Sequence, residues 1–287
     1  MNDVVLRTKD LRFRYPTRQE YALDGINLEI HRGEFVALIG QNGSGKTTLI
    51  KHFNGLLRPT AGEIFVDGQL TDGVPTSQLA RLVGYVFQNP DHQVFAETVE
   101  EEIAFGPKNL GFDEEHIAAI TQEVVRDMGL EDYLDEMPFM LGKGQRQRLA
   151  VASVLAMEPQ ILIVDEPTTG QDWRECIRLM DLLKPLNEKG HTILVTTHNM
   201  NLVSLYAKRV IVMWAGKVWM DGTTQEVFSQ PEKLTPAYIK PPTLYQLAHR
   251  FCPEADISAV VTPEDLADLL YERLGETQAK SQAGGEE

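Results

Sequence analysis

Residues 34–53 read Glu34-Phe35-Val36-Ala37-Leu38-Ile39-Gly40-Gln41-Asn42-Gly43-Ser44-Gly45-Lys46-Thr47-Thr48-Leu49-Ile50-Lys51-His52-Phe53. Glu34 to Ile39 is a short apolar run of the kind that makes a buried strand, and Thr47 to Phe53 reads as the opening of a helix. Between them, Gly40 to Thr47 fits the phosphate-loop pattern, whose glycines let backbone N–H groups surround phosphate oxygens at a helix N-terminus. Gly40, Asn42, Gly43, Ser44 and Gly45 form that cradle. Lys46 would bridge the β- and γ-phosphates, Thr47 supplies a hydroxyl for Mg²⁺, and Thr48 adds a contact to the α-phosphate. A strand, a phosphate loop and a helix in this order predict an α/β P-loop core.

Other apolar runs also end in chemistry. Ile161 to Val164 leads into Asp165-Glu166, which suits Asp165 for orienting metal-bound water and Glu166 for polarising the attacking water. Thr192 to Thr197 leads to His198, placed to reach the γ-phosphate from a strand's carboxyl end. Leu82 to Phe87 leads to Gln88, a candidate for sensing Mg²⁺ or the attacking water. Tyr15 offers a ring that stacks on adenine or packs in the core. No Asn-Lys-x-Asp segment for reading guanine occurs, which favours ATP over GTP.

The whole-chain balance narrows the function classes. Lys and Arg number 27 against 42 Asp and Glu, a formal charge of -15 over 287 residues. Such a chain is a poor match to a polyphosphate backbone, so nucleic acid is not an expected partner, and an anionic nucleotide must be held by a local site. Cys176 and Cys252 are too few for a disulfide framework and lack metal-ligand spacing. No window approaches the ~20 apolar residues of a membrane span, and residues 1–7 lack a secretory pattern, so any membrane role is expected to be peripheral.

Alternation at Ile26, Leu28 and Ile30 and again over Glu63 to Asp67 predicts an antiparallel sheet beside the nucleotide. The runs at Leu82, Ile161 and Thr192 predict core strands of a parallel sheet. Ile117, Ile120, Val124 and Met128 recur at helical spacing within a helical subdomain at about 98–158. Val210 to Met213, a turn at Ala215-Gly216, and Val218 to Met220 predict a closing hairpin. These place a main domain at 1–232. Prolines 231, 236, 241 and 242 mark a boundary, and 233–275 form a small helical region with Leu244, Leu247, Ala248 and Phe251 on one face. Thr262 caps a second helix with Pro263 first, Asp265 facing back, and an apolar stripe at Leu266, Leu269 and Leu270. Residues 276–287 have the composition of a disordered tail.

The order Tyr15, phosphate loop, Gln88, Leu141 to Gln145, Asp165-Glu166, Asp172 and His198 resembles the ATP-binding cassette (ABC) family across about residues 4–230. The resemblance implies a RecA-like P-loop NTPase core with an antiparallel β subdomain and an inserted helical subdomain. It also implies that Leu141-Gly142-Lys143-Gly144-Gln145 is the signature loop and Thr169-Gly170-Gln171-Asp172 the dimer-contacting D-loop. In this family two domains meet head to tail, so that Gly142, Lys143, Gly144, Gln145 and Asp172 would meet a second subunit's ATP. The segments Gln88 to Phe95 and Phe105 to Gly111 resemble those of ATPases of energy-coupling factor importers. That resemblance implies a dimerisation role for the C-terminal region 233–275, a second ATPase subunit, a transmembrane coupling protein received in a groove after Gln88, a substrate-binding membrane protein, and a place on the cytoplasmic face of the membrane. The cargo it implies is a vitamin or a cobalt or nickel ion.

One departure stands out. The family signature is Leu-Ser-Gly-Gly-Gln, whereas here Gly142 replaces Ser and Lys143 replaces Gly. Gly142 keeps the N–H and loses the hydroxyl, and Lys143 either substitutes for the lost contact or obstructs close approach. A weakened composite site follows as an expectation, with a non-identical paralogue as the usual partner and a second copy of the chain as the alternative. Rival readings are a DNA-repair ATPase, which would carry long coiled coils; a translation factor, which would carry two cassettes; and a nucleotide-sensing subunit, which the retained Glu166 opposes.

Overall fold

The computed structural model describes residues 3–252, 260 and 262–283, with side chains through residue 273. Its strands are β1 (Val4–Phe13), β2 (Leu23–His31), β3 (Phe35–Ile39), β4 (Ala61–Val66), β5 (Gln69–Leu70), β6 (Val83–Val86), β7 (Ile161–Asp165), β8 (Thr192–Thr196), β9 (Arg209–Trp214) and β10 (Lys217–Thr223). Six of them form a sheet in the order β10-β9-β3-β8-β7-β6, and the other four a sheet in the order β2-β1-β4-β5. In the first sheet β6, β7, β8, β3 and β9 run parallel, and only the hairpin partner β10 is antiparallel. The second sheet is antiparallel throughout.

The apolar runs are continuous because the parallel strands are covered on both faces. Along β3, Phe35, Ala37 and Ile39 enter one core while Val36 and Leu38 enter the other. Strand β7 divides the same way, with Leu162 and Val164 on one side and Ile161 and Ile163 on the other. The second core lies between the two sheets and includes Leu49, Ile50 and Phe53 of α1 (Lys46–Phe53). Phe53 is fully buried, which contributes about 2–3 kcal/mol of transfer free energy. A hydrogen bond from Asp24 N–H to the Gly216 carbonyl ties the antiparallel sheet to the β9–β10 turn at 2.9 Å.

The helices after α1 are α2 (Thr76–Leu79), α3 (Val99–Leu110), α4 (Glu114–Met128), α5 (Lys143–Leu155), α6 (Trp173–Glu188), α7 (Met200–Tyr206), α8 (Thr224–Phe228), α9 (Pro231–Leu234), α10 (Thr243–Phe251) and α11 (Pro263–Ala283). Helix α3 begins at Thr98, whose hydroxyl accepts from Glu101 N–H, and α4 begins at Asp113, whose carboxylate accepts from His116 N–H. The stripe Ile117, Ile120, Val124 and Met128 is buried as its spacing predicts.

The C-terminal helices extend the first core, to which Tyr245, Ala248, Val260 and Leu266 belong. The face expected on α10 divides. Ala248 is buried and Leu244 half-buried, but Leu247 and Phe251 are exposed because Tyr245 turns the buried stripe toward itself. At α11 the capping box forms as expected: Thr262 N–H donates to Asp265, and Asp265 N–H donates to the Thr262 hydroxyl. The helix also runs on to Ala283, where composition predicts a disordered tail from 276. Glu276, Gln278, Ala279 and Lys280 are good helix formers, so polarity alone misjudges this stretch. Residues 284–287 of that tail lie outside the described residues.

Candidate functional site

Every chemistry-bearing residue that follows a parallel strand emerges at the same edge of the sheet. The phosphate loop leaves the carboxyl end of β3, Gln88 lies two residues beyond β6, Glu166 directly follows β7, and His198 lies two beyond β8. Ligands of open α/β sheets sit at this edge. The loops there wall an open cleft of about 1170 Å³, lined by Tyr15, Thr17–Ala22, Asn42, Gly43, Gly45–Thr48, Gln88, Glu166, Thr169, His198, Ala215 and Gly216.

The cradle requires glycine for close approach. Gly45, at φ +106, caps α1, and a Cβ there would lie 2.8 Å from the Ala22 carbonyl oxygen and 2.9 Å from Leu23 Cδ2. Ser44 is 2% exposed, and its Oγ has no partner among the described residues. Lys46 is also buried and donates to the carbonyls of Gly40 at 2.8 Å and Gln41 at 3.2 Å. Burial lowers the Lys46 pKa from its ordinary value, opposed by the nearby Glu166 and Asp165 carboxylates. An unpartnered buried hydroxyl, a buried cation and a helix N-terminus around one loop fit a phosphate chain.

Asp165 is 2% exposed and is held from three sides. Thr196 Oγ1 donates to its Oδ1 at 2.6 Å, Thr47 Oγ1 donates to the same oxygen at 3.2 Å, and Tyr85 OH donates to Oδ2 at 2.8 Å. The β7–β8 register, which pairs Asp165 with Thr196, sets the first contact. Burial and then the Asp165 charge raise the Tyr85 pKa well above its ordinary value, so the phenol is a permanent donor.

Glu166 adopts a left-handed backbone at φ +44. A non-glycine residue there costs of order 1 kcal/mol and is held only by surrounding bonds. Its N–H donates to the Thr196 carbonyl at 3.1 Å and to Thr196 Oγ1 at 2.8 Å, and its carbonyl accepts from Thr169 N–H at 3.2 Å. The turn brings the carboxylate into the cleft. Gln88 Nε2 and Thr169 Oγ1 donate to Oε2 at 3.1 and 3.2 Å, and His198 Nδ1 lies 3.5 Å from that oxygen. Lys46 Nζ lies 3.9 Å from Oε1.

The structure thus gathers Lys46, Thr47, Gln88, Asp165, Glu166 and His198. Tyr15 lines the cleft, with its hydroxyl 3.1 Å from Thr48 Oγ1 and its ring edge-on to Phe13. Gly142 to Gln145 and Asp172 are not among the residues lining this cleft. Gly142 caps α5, and its N–H, expected to face phosphate, donates to Gln145 Oε1 at 2.7 Å. Asp172 caps α6, its Oδ1 accepting from Glu175 N–H at 2.9 Å. Thr169, expected only as part of the D-loop, instead contacts Glu166 in this chain's own cleft, and the strand residues Tyr85 and Thr196 are absent from the sequence-derived site. A hydroxyl inside or at the end of an otherwise apolar strand was the available signal, but its partner depends on register.

The ABC transporter family matches residues 23–169. A putative ABC transporter ATP-binding protein of Caldanaerobacter subterraneus is 50% identical over 86% of this chain, which spans 43% of that protein's length. The energy-coupling factor transporter ATP-binding protein EcfA of Methanocaldococcus jannaschii is 44% identical over 85% of this chain and 88% of its own length. Among solved structures, CbiO1 of Clostridium perfringens, described as part of the ABC transporter complex CbiONQ, superposes with a TM-score of 0.75 at 36% identity, covering 86% of this chain and 99% of that one. The chain belongs to the ABC transporter family of ATPases and, within it, to the energy-coupling factor ATP-binding proteins.

Proposed function

We propose that this chain binds Mg-ATP in the cleft above its parallel sheet and hydrolyses it to power an energy-coupling factor importer of a micronutrient, a vitamin or a cobalt or nickel ion. The observation that carries the reading is the meeting of Lys46, Gln88, Asp165, Glu166 and His198 from four separate strand ends around one cleft. Lys46 and the phosphate-loop amides hold the phosphates, with Ser44 Oγ as a further donor. Mg²⁺ would be held by Thr47 and Asp165, with Gln88 near, and would neutralise phosphate charge. Tyr15 walls the base side, where its ring can stack on adenine.

Glu166 is the group that polarises the attacking water. Its Oε2 is occupied by Gln88 and Thr169, which leaves Oε1 as the oxygen that accepts the water's proton. His198, with its side chain 61% exposed, faces the cleft mouth and orients the γ-phosphate. Gly142–Gln145 and Asp172 lie outside this chain's cleft, which supports the reading that they serve the ATP of a second ATPase subunit whose own signature completes this site. A paralogue supplying the hydroxyl that Gly142 lacks is the favoured partner, ahead of a second copy.

Exposed Phe95 and Phe105, edge-to-face at 4.7 Å, are the surface that receives a transmembrane coupling protein on the cytoplasmic face of the membrane. Met137, Phe139 and Met140 are exposed as well, and their segment is joined to the Gln88–Phe95 segment by Arg146, which donates to the Phe139 carbonyl and pairs with Asp91 at 3.0 Å. Such an apolar patch marks an interaction site. Among the described residues no helix is long and apolar enough to cross a membrane.

Glu166→Gln tests the reading in the assembled complex. Turnover at this site should fall by about 10²-fold or more, with ATP retained and the dimer closed. An unchanged rate would refute hydrolysis at Glu166 and favour a nucleotide-sensing role.

A further inference from the structure

The substituted signature residue has a definite destination. Lys143, the first residue of α5, turns its ammonium onto its own chain's D-loop, donating to the Thr169 carbonyl at 2.9 Å and lying 3.4 Å from the Gly170 carbonyl oxygen. The approach is close: a Cβ on Gly170, whose backbone is left-handed at φ +70, would lie 2.5 Å from Lys143 Nζ, the movable end of that side chain. The two segments are also packed beneath this contact. A Cβ on Gly144 would lie 2.3 Å from Glu175 Oε2, and buried Arg148 pairs with the same oxygen at 3.0 Å. The start of α5 and the start of α6 therefore meet with the Lys143 ammonium spanning their outer edge.

Thr169 is the residue that makes the contact consequential. Its carbonyl accepts from Lys143, its N–H donates to the Glu166 carbonyl, and its hydroxyl donates to Glu166 Oε2. One residue thus connects the signature loop to the carboxylate that polarises water in this chain's own cleft.

We propose that Lys143 is a positioning residue that holds Thr169 and, through it, Glu166, linking the signature loop offered to a partner's ATP to hydrolysis at this chain's own ATP. This rests on the two-subunit reading above. Without Lys143 the Thr169–Asp172 turn loses its outer tether, and the Thr169 hydroxyl no longer fixes Oε2. A ligand that draws the ammonium away from the carbonyls has the same effect, so occupancy of one composite site is registered at the other.

The test uses the ATPase dimer as isolated, with one glutamate inactivated at a time. With the partner's catalytic glutamate changed to Gln, only this chain's Glu166 turns over. Lys143→Met should then lower kcat about threefold to tenfold, as expected for misplacement of a catalytic group, with KM for ATP within about twofold. Lys143→Arg, which keeps a donor of similar reach, should restore kcat to within about twofold. If Lys143→Met leaves kcat unchanged here and lowers it only with Glu166→Gln in this chain, Lys143 acts on the partner's ATP and the proposal is overturned. Amide hydrogen exchange on the full chain without nucleotide gives a readout independent of turnover. Lys143→Met should speed exchange at Gln171 and neighbouring D-loop amides while α6 stays protected, and unchanged exchange would overturn the tether. A wild-type dimer without ATP turnover would sink the functional reading, whereas the exchange result would still decide the tether.

Discussion

Tyr85→Phe removes one hydroxyl and preserves the ring, which packs edge-to-face on Phe87 with centroids 5.0 Å apart. The hydroxyl donates to Asp165 Oδ2 at 2.8 Å, and the remaining donors, Thr196 and Thr47, both point to Oδ1. The variant leaves one oxygen of a carboxylate that is 2% exposed without a protein partner. A hydrogen bond to a charged, buried acceptor contributes about 1.5–3 kcal/mol. At about 2–4 °C per kcal/mol for a domain of this size, the melting temperature should fall by about 3–12 °C. Because burial and Asp165 both raise the Tyr85 pKa, the phenol donates throughout the working range, and the loss should be the same at about pH 6 and about pH 9. Differential scanning fluorimetry without nucleotide measures the stability, and Mg²⁺ titration of ATP turnover reads the carboxylate's orientation. A melting temperature within about 1 °C of wild type, with an unchanged Mg²⁺ midpoint, would refute the reasoning that Asp165 depends on this bond.

Lys46→Met should abolish ATP binding and alter the pH dependence of stability. Burial lowers the Lys46 pKa in the fold, so below the unfolded value of 10.5 the unfolded chain binds more protons and wild-type stability rises with pH through that window. The melting temperature of wild type relative to Lys46→Met should therefore climb on the alkaline side, and a flat difference would contradict the assignment. Phe95→Ala with Phe105→Ala should leave nucleotide binding by the isolated chain within about twofold, since neither ring lines the cleft. The same pair should reduce recovery with the membrane coupling protein by about tenfold, judged from the weight of aromatic anchors at interfaces. Equal recovery would place the docking surface elsewhere.

The legible part of this molecule is the part written in consecutive residues. A phosphate loop is contiguous because its chemistry lies in backbone N–H groups, and each parallel strand shows its functional edge where an apolar run stops, at Gln88, Asp165-Glu166 and His198. Contacts made across strands were not legible. Thr196 meets Asp165 only because β7 and β8 pair in that register, and Tyr85 reaches Asp165 from β6, 80 residues earlier. The helical stripe of α4 was legible because its buried face is a single stripe, covered by α3 and α5. That of α10 was not, because Tyr245 packs against Phe228, with centroids 5.7 Å apart, and rotates the buried face away from Leu247 and Phe251.

Glu166 joins these two kinds of information. Its identity is visible at the end of an apolar run, but its reach into the cleft comes from a left-handed turn that glutamate adopts only at a cost. Two bonds from its N–H to Thr196 and one to its carbonyl from Thr169 offset that cost. The same two threonines anchor Asp165 and Glu166 Oε2 respectively. Backbone strain and side-chain placement therefore share their supports. A change that loosens Thr169, including loss of the Lys143 contact, acts on both at once, releasing the turn and the carboxylate together. This predicts that Thr169→Val, which keeps the shape and the N–H bond but deletes the hydroxyl, should impair turnover more than stability. A loss of melting temperature matching that of Thr196→Val would show instead that Thr169 serves the fold.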